Sequence, residues 1–83
     1  MKFHQLPAAV AQPSDTPEMR IAIALLRAAD IDVRRPANSR HQLKLDEHTN
    51  YYPSRGTFYR DGADGASPQR GLPALKAWIA EHS

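Results

Sequence analysis

The stretch "NYYPSRGTFYRDG", residues 50 to 62, decides the fold because it predicts a β-hairpin built from aromatic residues. It contains all three tyrosines of the chain, one of its two phenylalanines and two of its arginines. Residues 49 to 53 and 57 to 61 favour strands, and Gly56 between them supplies the positive φ angle that a tight turn needs. Successive side chains of a strand point to opposite faces, so we expect one aromatic side chain of each arm in the core and one outside.

A second alternating segment precedes the hairpin and predicts a half-buried antiparallel strand. One face of this segment carries His41, Leu43 and Leu45. The other face carries Arg40, Gln42, Lys44 and Asp46. Further upstream, apolar and charged residues alternate over residues 31 to 35, which indicates a short extra strand that ends before Pro36.

Helices are predicted on either side of the strands. Thr16, Pro17 and Glu18 are typical of a helix start, since they provide a capping hydroxyl, a proline in the first turn and a carboxylate at the positive end. The apolar stripe of this first helix comprises Met19, Ala22, Ile23, Leu26 and Ala29. A second helix is expected to begin near Pro73, with a buried stripe of Leu72, Ala74, Leu75, Trp78 and Ile79. We expect the Trp78 indole to anchor the core.

The order of these elements predicts a small α+β domain of α-β-β-β-α order. The simplest two-layer solution packs two helices on one face of an antiparallel sheet and leaves the other face to solvent. With 83 residues, the chain has the length of a single domain. We assign residues 16 to 83 to this domain, and expect residues 1 to 15, which contain Pro7 and Pro13, to form an extended or flexible N-terminal arm.

The composition excludes several classes of protein. Hydrophobic residues make up 41% and charged residues 24% of the chain, which is typical of a globular domain and not of a disordered or collagen-like one. Cysteine is absent, so neither a disulfide nor a zinc site with thiolate ligands can stabilise the fold. The four histidines do not follow a metal-binding spacing, and the sequence predicts no metal and no cofactor.

The hydropathy pattern predicts a cytoplasmic protein without a membrane partner. The longest apolar run, residues 21 to 26, is far shorter than the roughly 20 residues of a membrane span, and the N-terminal residues lack a signal-like apolar core. The formal net charge is only +2, but residues 27 to 44 carry a local excess of basic side chains.

The outer face of the predicted sheet is the candidate functional surface. Exposed aromatic and basic side chains on one sheet form a platform on which unpaired bases stack, at about 1 to 3 kcal/mol for each base. The predicted nucleic-acid-binding residues are Arg40, Lys44, Tyr51, Arg55, Tyr59 and Arg60. This pattern predicts a small module that binds RNA or single-stranded nucleic acid, and the alternative is an ordinary solvated sheet in which cross-strand aromatic pairs serve stability.

His41 gives an enzymatic alternative. It lies at the start of the predicted strand beside Arg40, where an imidazole that titrates near neutral pH can act as general acid or base and the guanidinium can hold a phosphate. Cleavage of RNA through a neighbouring hydroxyl needs little more than such a base and a cation. The sequence is therefore also compatible with a metal-independent ribonuclease.

A third alternative is a protein-interaction or inhibitor domain. In that case the aromatic hairpin is a hot-spot patch for another protein, since tyrosine and arginine are enriched in such patches. Salt-sensitive affinity for nucleic acid would then be absent.

The run from "LLRAADIDVRR" through "SRHQLKL" to "GLPALKAWI", roughly residues 20 to 80, resembles the HicA-type toxins. These are small ribonucleases with a fold like that of double-stranded-RNA-binding domains. In that family a glycine, a small residue and a catalytic histidine open a strand, and Ser39, Arg40 and His41 occupy that place here. The glycine is missing, and Asp46 and Glu47 replace the basic or polar turn that usually follows. The resemblance implies the order of elements more directly than the activity.

The hairpin "NYYPSRGTFYRDG" also resembles short proteins of phage or prophage character. These carry a hairpin with a tyrosine-proline pair, a small residue and a glycine-threonine pair, followed by a helix that begins with glycine and leucine. This resemblance implies no particular chemistry.

Overall fold

A computed structural model describes residues 6–36, 41–62, 65, 67–68 and 70–82 of the chain. Its elements are α1 (Pro17–Ala28), β1 (Leu43–Lys44), β2 (Thr49–Tyr52), β3 (Thr57–Arg60) and α2 (Gly71–His82). The three strands form one antiparallel sheet in the order β1-β2-β3. The predicted α+β domain of α-β-β-β-α order is therefore confirmed.

The register of the sheet sorts the side chains onto two faces. Leu43 lies opposite Tyr51, and Tyr51 lies opposite Phe58, so these three form a row across the sheet. All three are buried and join α1 and α2 residues in one hydrophobic cluster. The next row, Lys44, Asn50 and Tyr59, points to the opposite face. The sheet thus has a core face against the helices and an outer face.

Helix α1 begins as its sequence predicts. Thr16 is the N-cap, and its hydroxyl accepts a hydrogen bond from the backbone N–H of Met19 at 3.2 Å. The buried residues of the helix are Met19, Ala22, Ile23 and Leu26. These four members of the predicted stripe face the core, which confirms the helical spacing as the signal that places α1 on the sheet.

The first residue of helix α2 forms a hydrogen bond with the turn of the hairpin. The backbone N–H of Gly71 donates to the carbonyl oxygen of Gly56 at 2.7 Å, and both glycines have positive φ angles. A Cβ atom on Gly56 would lie 2.9 Å from the backbone of Gly71, so this contact requires glycine at position 56. The helix starts two residues before Pro73, at the join between hairpin and helix.

The predicted role of Trp78 as the anchor of the core is wrong. Trp78 is only half-buried and stacks on His82, with ring centroids 4.1 Å apart. The largest fully buried side chain is Tyr51, and Leu75 is the buried residue of α2. Leu75 is therefore the α2 side chain within the buried cluster, and Trp78 packs against that cluster as a partly buried neighbour.

Residues 6 to 15 of the predicted arm follow an extended path packed on the domain. Leu6 and Ala9 are buried, and Ala9 donates its backbone N–H to the carbonyl of Val33 at 3.0 Å. Arg34 in turn exchanges two backbone hydrogen bonds with Lys44 of β1. The expected strand over residues 31 to 35 is therefore reduced to a single bridging residue that links the arm to β1. Residues 1 to 5 of the arm lie outside the described residues.

A buried ion pair between Asp15 and Arg35 holds the N-terminal arm against the segment that contains the bridging residue Arg34. The Arg35 guanidinium donates both to Oδ2 of Asp15, at 2.9 Å, and to Oδ1, and the side chains are only 9% and 4% exposed. The backbone N–H of Gln12 also donates to Asp15. The pKa of the Asp15 carboxyl is lowered to about 2, mainly by the hydrogen bond from Arg35 and to a smaller extent by the one from Gln12. The arm is thus held by a charge-assisted contact that local sequence does not reveal.

Candidate nucleic-acid interface

A groove of about 550 Å³ crosses the outer face of the sheet at the hairpin. Its lining comprises His41, Tyr52, Ser54, Arg55, Thr57 and Tyr59. Five of these six residues come from the hairpin, whose tight turn is closed by the N–H of Gly56 and the carbonyl of Tyr52 at 2.7 Å. The groove is therefore built on the most locally determined part of the fold.

The four aromatic side chains of the hairpin divide between the two faces, as the alternation predicts. Tyr51 and Phe58 pack edge to face in the core, with ring centroids 4.6 Å apart. Tyr52 and Tyr59 form a second edge-to-face pair on the outer face, with centroids 5.5 Å apart and planes at 83°. Tyr59 is exposed and Tyr52 is half-buried, so the outer face carries a partly accessible tyrosine on each strand of the hairpin.

The prediction of Tyr51 as a binding residue is wrong, because its side chain is only 1% exposed. Burial also raises the pKa of its phenol. The register explains the error: the position opposite Leu43 and Phe58 belongs to the core row, and the next residue, Tyr52, takes the outer position. Tyr59, by contrast, is 36% exposed and lines the groove, and its role in binding stays a prediction.

Arg55 is the cation of the groove. Its side chain is exposed at the tip of the hairpin, and within the described part of the chain it forms no ion pair. Its charge is therefore available to an anionic ligand. This placement agrees with the predicted role of Arg55 as a phosphate-binding residue, which stays a prediction.

Lys44 lies on the outer face but its charge is already engaged. Its ammonium donates to Oδ2 of Asp61 at 2.9 Å and to Oδ1 of Asn50 at 3.1 Å, and the side chain is only 12% exposed. Gln42 also donates to Asn50, and the Asn50 amide donates to Asp61 at 2.7 Å. The bonds from Asn50 and Lys44 lower the pKa of the Asp61 carboxyl. This network borders the groove without contributing an unpaired cation.

Arg60 lies on a different surface from Arg55. It is paired with Thr49 in the register, on the same face of the sheet as Phe58. There it lines a separate cavity of about 430 Å³ between β3 and α2, which also contains Trp78 and His82. Arg55 and Arg60, both predicted to bind nucleic acid, thus line different cavities. Arg40, the remaining predicted cation, lies outside the described residues.

His41 lines the groove although it lies outside the observed strand β1, which the sequence predicted to include it. The strand begins only at Leu43, and His41 lies exposed in the preceding turn, so the alternation that was expected to place it with Leu43 and Leu45 does not extend to it. His41 and Ser54 also line a small cavity of about 30 Å³ next to Asp15 and Arg35. The buried ion pair therefore adjoins the rim of the groove.

Besides Tyr52, sequence reasoning missed two more groove residues, Ser54 and Thr57. Thr57 lies two positions before Tyr59 in β3 and directly opposite Tyr52, so the strand alternation places it on the outer face. It is nevertheless only 3% exposed. The strand alternation predicts that Thr57 lies on the outer face. Its burial could not be predicted in this way, because it follows from the packing of the hairpin.

Comparison with known proteins gives no match: no family model fits the chain, and neither a curated protein nor a solved structure is similar to it. Among the described residues, neither helix is long and apolar enough to span a membrane.

Proposed function

We propose that this protein binds unpaired nucleic acid, RNA above all, through the groove on the outer face of its sheet. The observation that supports the proposal is the outer pair of tyrosines, Tyr52 and Tyr59, with the exposed Arg55 in the same groove. Aromatic rings stack on bases of any sequence, and a guanidinium holds a phosphate by charge-assisted hydrogen bonds. These two contacts are the elements of a single-strand binding site.

The dimensions of the groove favour a single strand over a duplex. A concavity of about 550 Å³ is in the range that takes a ligand the size of a small molecule, which corresponds to one or two nucleotides. The bases of a duplex are stacked on one another and present no face to a tyrosine. Only an unpaired base can enter and stack on the outer rings.

The binding test is fluorescence anisotropy with a labelled single-stranded RNA of 12 nucleotides at low and moderate salt. We expect Tyr59→Ala to weaken binding by roughly 5- to 150-fold, the equivalent of 1 to 3 kcal/mol of stacking. Arg55→Gln is expected to reduce the slope of log affinity against log salt by about 0.7, the value for one phosphate contact with a single strand.

Arg60→Gln is the matched control. It removes the same charge as Arg55→Gln, but from the opposite face of the sheet. We expect it to leave both the affinity and the salt slope close to those of the wild type. Equal losses in the two variants would mean that net charge alone attracts RNA and would contradict the groove as the site. A wild type that binds no RNA at low salt would favour a protein partner at the aromatic hairpin.

A second candidate function is RNA cleavage, favoured by the presence of His41 and Arg55 in one groove. In this reaction the imidazole takes the proton of a ribose 2′-hydroxyl, and the 2′-oxygen attacks phosphorus to form a 2′,3′-cyclic phosphate. The bond between phosphorus and the 5′-oxygen of the next nucleotide breaks, and that oxygen leaves with a proton taken from water. Arg55 would stabilise the charge that develops on the phosphate. The resemblance to HicA-type toxins, in which a histidine opens the corresponding strand, supports the same role for His41.

Gel analysis of the same RNA samples separates the two functions. Cleavage requires products that form in the presence of a chelator and disappear in His41→Ala, since a positioned base contributes about 10² to 10⁴ in rate. RNA that is bound but stays intact over hours would exclude the ribonuclease and leave the binding module.

A further inference from the structure

Thr57 has a buried hydroxyl without a partner. Its side chain is 3% exposed, and its Oγ1 atom finds no hydrogen-bond partner within the described part of the chain. Leaving a hydroxyl buried in this way costs free energy, and valine, which has the same shape, would fill the position without that cost. The fold alone therefore gives no reason for threonine at position 57.

The other buried threonine of the sheet shows the usual situation. Thr49 is 5% exposed, its backbone N–H donates to the carboxylate of Asp46 at 2.8 Å, and its hydroxyl interacts with the same carboxylate and helps to lower its pKa. Thr49 thus has a structural reason for its hydroxyl. Thr57 differs from it in one further respect, because Thr57 lines the outer groove.

Thr57 also occupies the position where a stacked base would have its edge. It lies directly opposite Tyr52 in the register and two residues before Tyr59, so both outer rings are its neighbours on the same face. A ring stacked on either tyrosine would bring its polar edge towards this part of the groove. A threonine hydroxyl both donates and accepts, and it rotates to suit either kind of group on a base.

We propose that the Thr57 hydroxyl is the specificity-determining group of the groove and hydrogen-bonds to the edge of one unpaired nucleobase stacked on the outer tyrosines. This inference rests on the proposed binding of single-stranded nucleic acid and adds base selection to it. Binding opens the groove by changes of side-chain rotamer, which are common at interfaces, so that the buried oxygen meets the base. A site built to bond a polar group rejects ligands that lack the group at that point.

The test measures the affinity of three single-stranded RNA homopolymers, of uridine, cytidine and adenosine, for the wild type, Thr57→Val and Thr57→Ser. We expect the wild type to prefer one homopolymer. Thr57→Val should bind that homopolymer about tenfold more weakly and bring the three affinities together, because one buried hydrogen bond is lost. Thr57→Ser keeps the hydroxyl and should keep the order of preference.

Stability gives an independent readout. Since its hydroxyl has no partner among the described residues, Thr57→Val should unfold in urea at the same concentration as the wild type or a higher one. Thr49→Val, the matched control, should unfold earlier and keep the base preference of the wild type. A destabilised Thr57→Val would overturn the proposal, because the hydroxyl would then serve the fold.

The remaining outcomes separate this inference from the proposed function. If the wild type and Thr57→Val bind all three homopolymers alike, base selection by Thr57 is refuted while single-strand binding stands. If the wild type binds none of the homopolymers at low salt, both proposals fall together.

Discussion

Replacement of Asp15 by asparagine tests the contact that fixes the N-terminal arm. The Asp15–Arg35 pair is nearly buried, and asparagine keeps the size of the side chain and an oxygen that can accept from Gln12. What the substitution removes is the negative charge. Arg35 then stays buried without the charge of Asp15 beside it, and breaking a buried pair from one side is more costly than removing both partners.

The expected magnitude follows from the pKa of Asp15. A folded-state pKa of about 2, against an ordinary value of 3.8, corresponds to roughly 2 kcal/mol of stability at neutral pH. Breaking a buried pair from one side typically costs about 3 to 5 kcal/mol. We therefore expect Asp15→Asn to lower the free energy of unfolding by about 2 to 4 kcal/mol. In a domain of this size that loss lowers the melting temperature by about 10 °C or more.

The pH dependence has a definite sign. Because the folded-state pKa lies below the unfolded one, the contribution of Asp15 is complete above about pH 4 and is lost as the pH falls towards 2. Urea unfolding of the wild type should therefore become easier across this interval. In Asp15→Asn this part of the acid destabilisation should be missing, and the curves of the two proteins should converge near pH 2.

The control is Asp32→Asn, which breaks the ion pair of Asp32 with Arg34, where the carboxylate is 57% exposed. Solvent screens that pair, so the midpoint of unfolding should change far less. The reasoning about the arm would be refuted by equal midpoints for Asp15→Asn and Asp32→Asn at pH 7, or by parallel pH profiles of Asp15→Asn and the wild type.

Three further substitutions test the elements that position the groove, each by urea unfolding. Gly56→Ala should lower the free energy of unfolding by more than about 1 kcal/mol. Residue 56 has a φ angle of +70°, and a Cβ atom there would lie 2.9 Å from the backbone of Gly71. An unchanged midpoint of unfolding would contradict the close approach of the two glycine backbones. Thr16→Ala should cost about 1 kcal/mol through loss of the N-cap, and Thr16→Ser should restore it. Asn50→Ala should cost about 1 to 3 kcal/mol, because Asn50 is itself buried and its side-chain hydrogen bonds with Gln42, Lys44 and Asp61 are lost. A neutral effect would mean that the network adds no stability.

Local patterns were sufficient to predict the two helices and the hairpin of this fold, but not the reduction of residues 31 to 35 to a single bridge. The start of α1 depends on Thr16 and Pro17, which act within one helical turn, and the hairpin depends on Gly56 and the alternation around it. Each of these signals concerns residues a few positions apart. They predicted the order of helices and strands, and the division of aromatic side chains between two faces.

The errors arose where contacts join distant parts of the chain. The alternation within β2 says that one of two adjacent tyrosines is buried, but only the register with Leu43 shows that it is Tyr51. Lys44 has the appearance of an exposed cation until the fold brings Asp61 to it, 17 residues along the chain. Asp15 and Arg35 are 20 residues apart, and nothing near either of them in sequence indicates a buried pair.

In the candidate site, too, local patterns predicted some residues correctly in position, whereas contacts between distant parts of the chain determined the others. Tyr59 and Arg55 were found because the hairpin is a local structure, and the groove keeps both of them. Arg60 was misplaced because Phe58, its neighbour on the same face, turns out to lie on the core side. Thr57 was overlooked because a threonine in a strand is unremarkable until its hydroxyl is found buried and without a partner among the described residues.

The most direct measurement is an NMR titration of the isotope-labelled protein with a single-stranded RNA of 12 nucleotides at low salt, followed through the backbone amides. Binding in the groove predicts the largest shifts at residues 52 to 59, with His41 at their margin, and small shifts at Arg60 and along α2. Salt should reverse these shifts, since phosphate contacts release counterions. Shifts centred on the cavity of Trp78 and His82, or no shifts at any RNA concentration tested, would contradict the outer groove as the binding site.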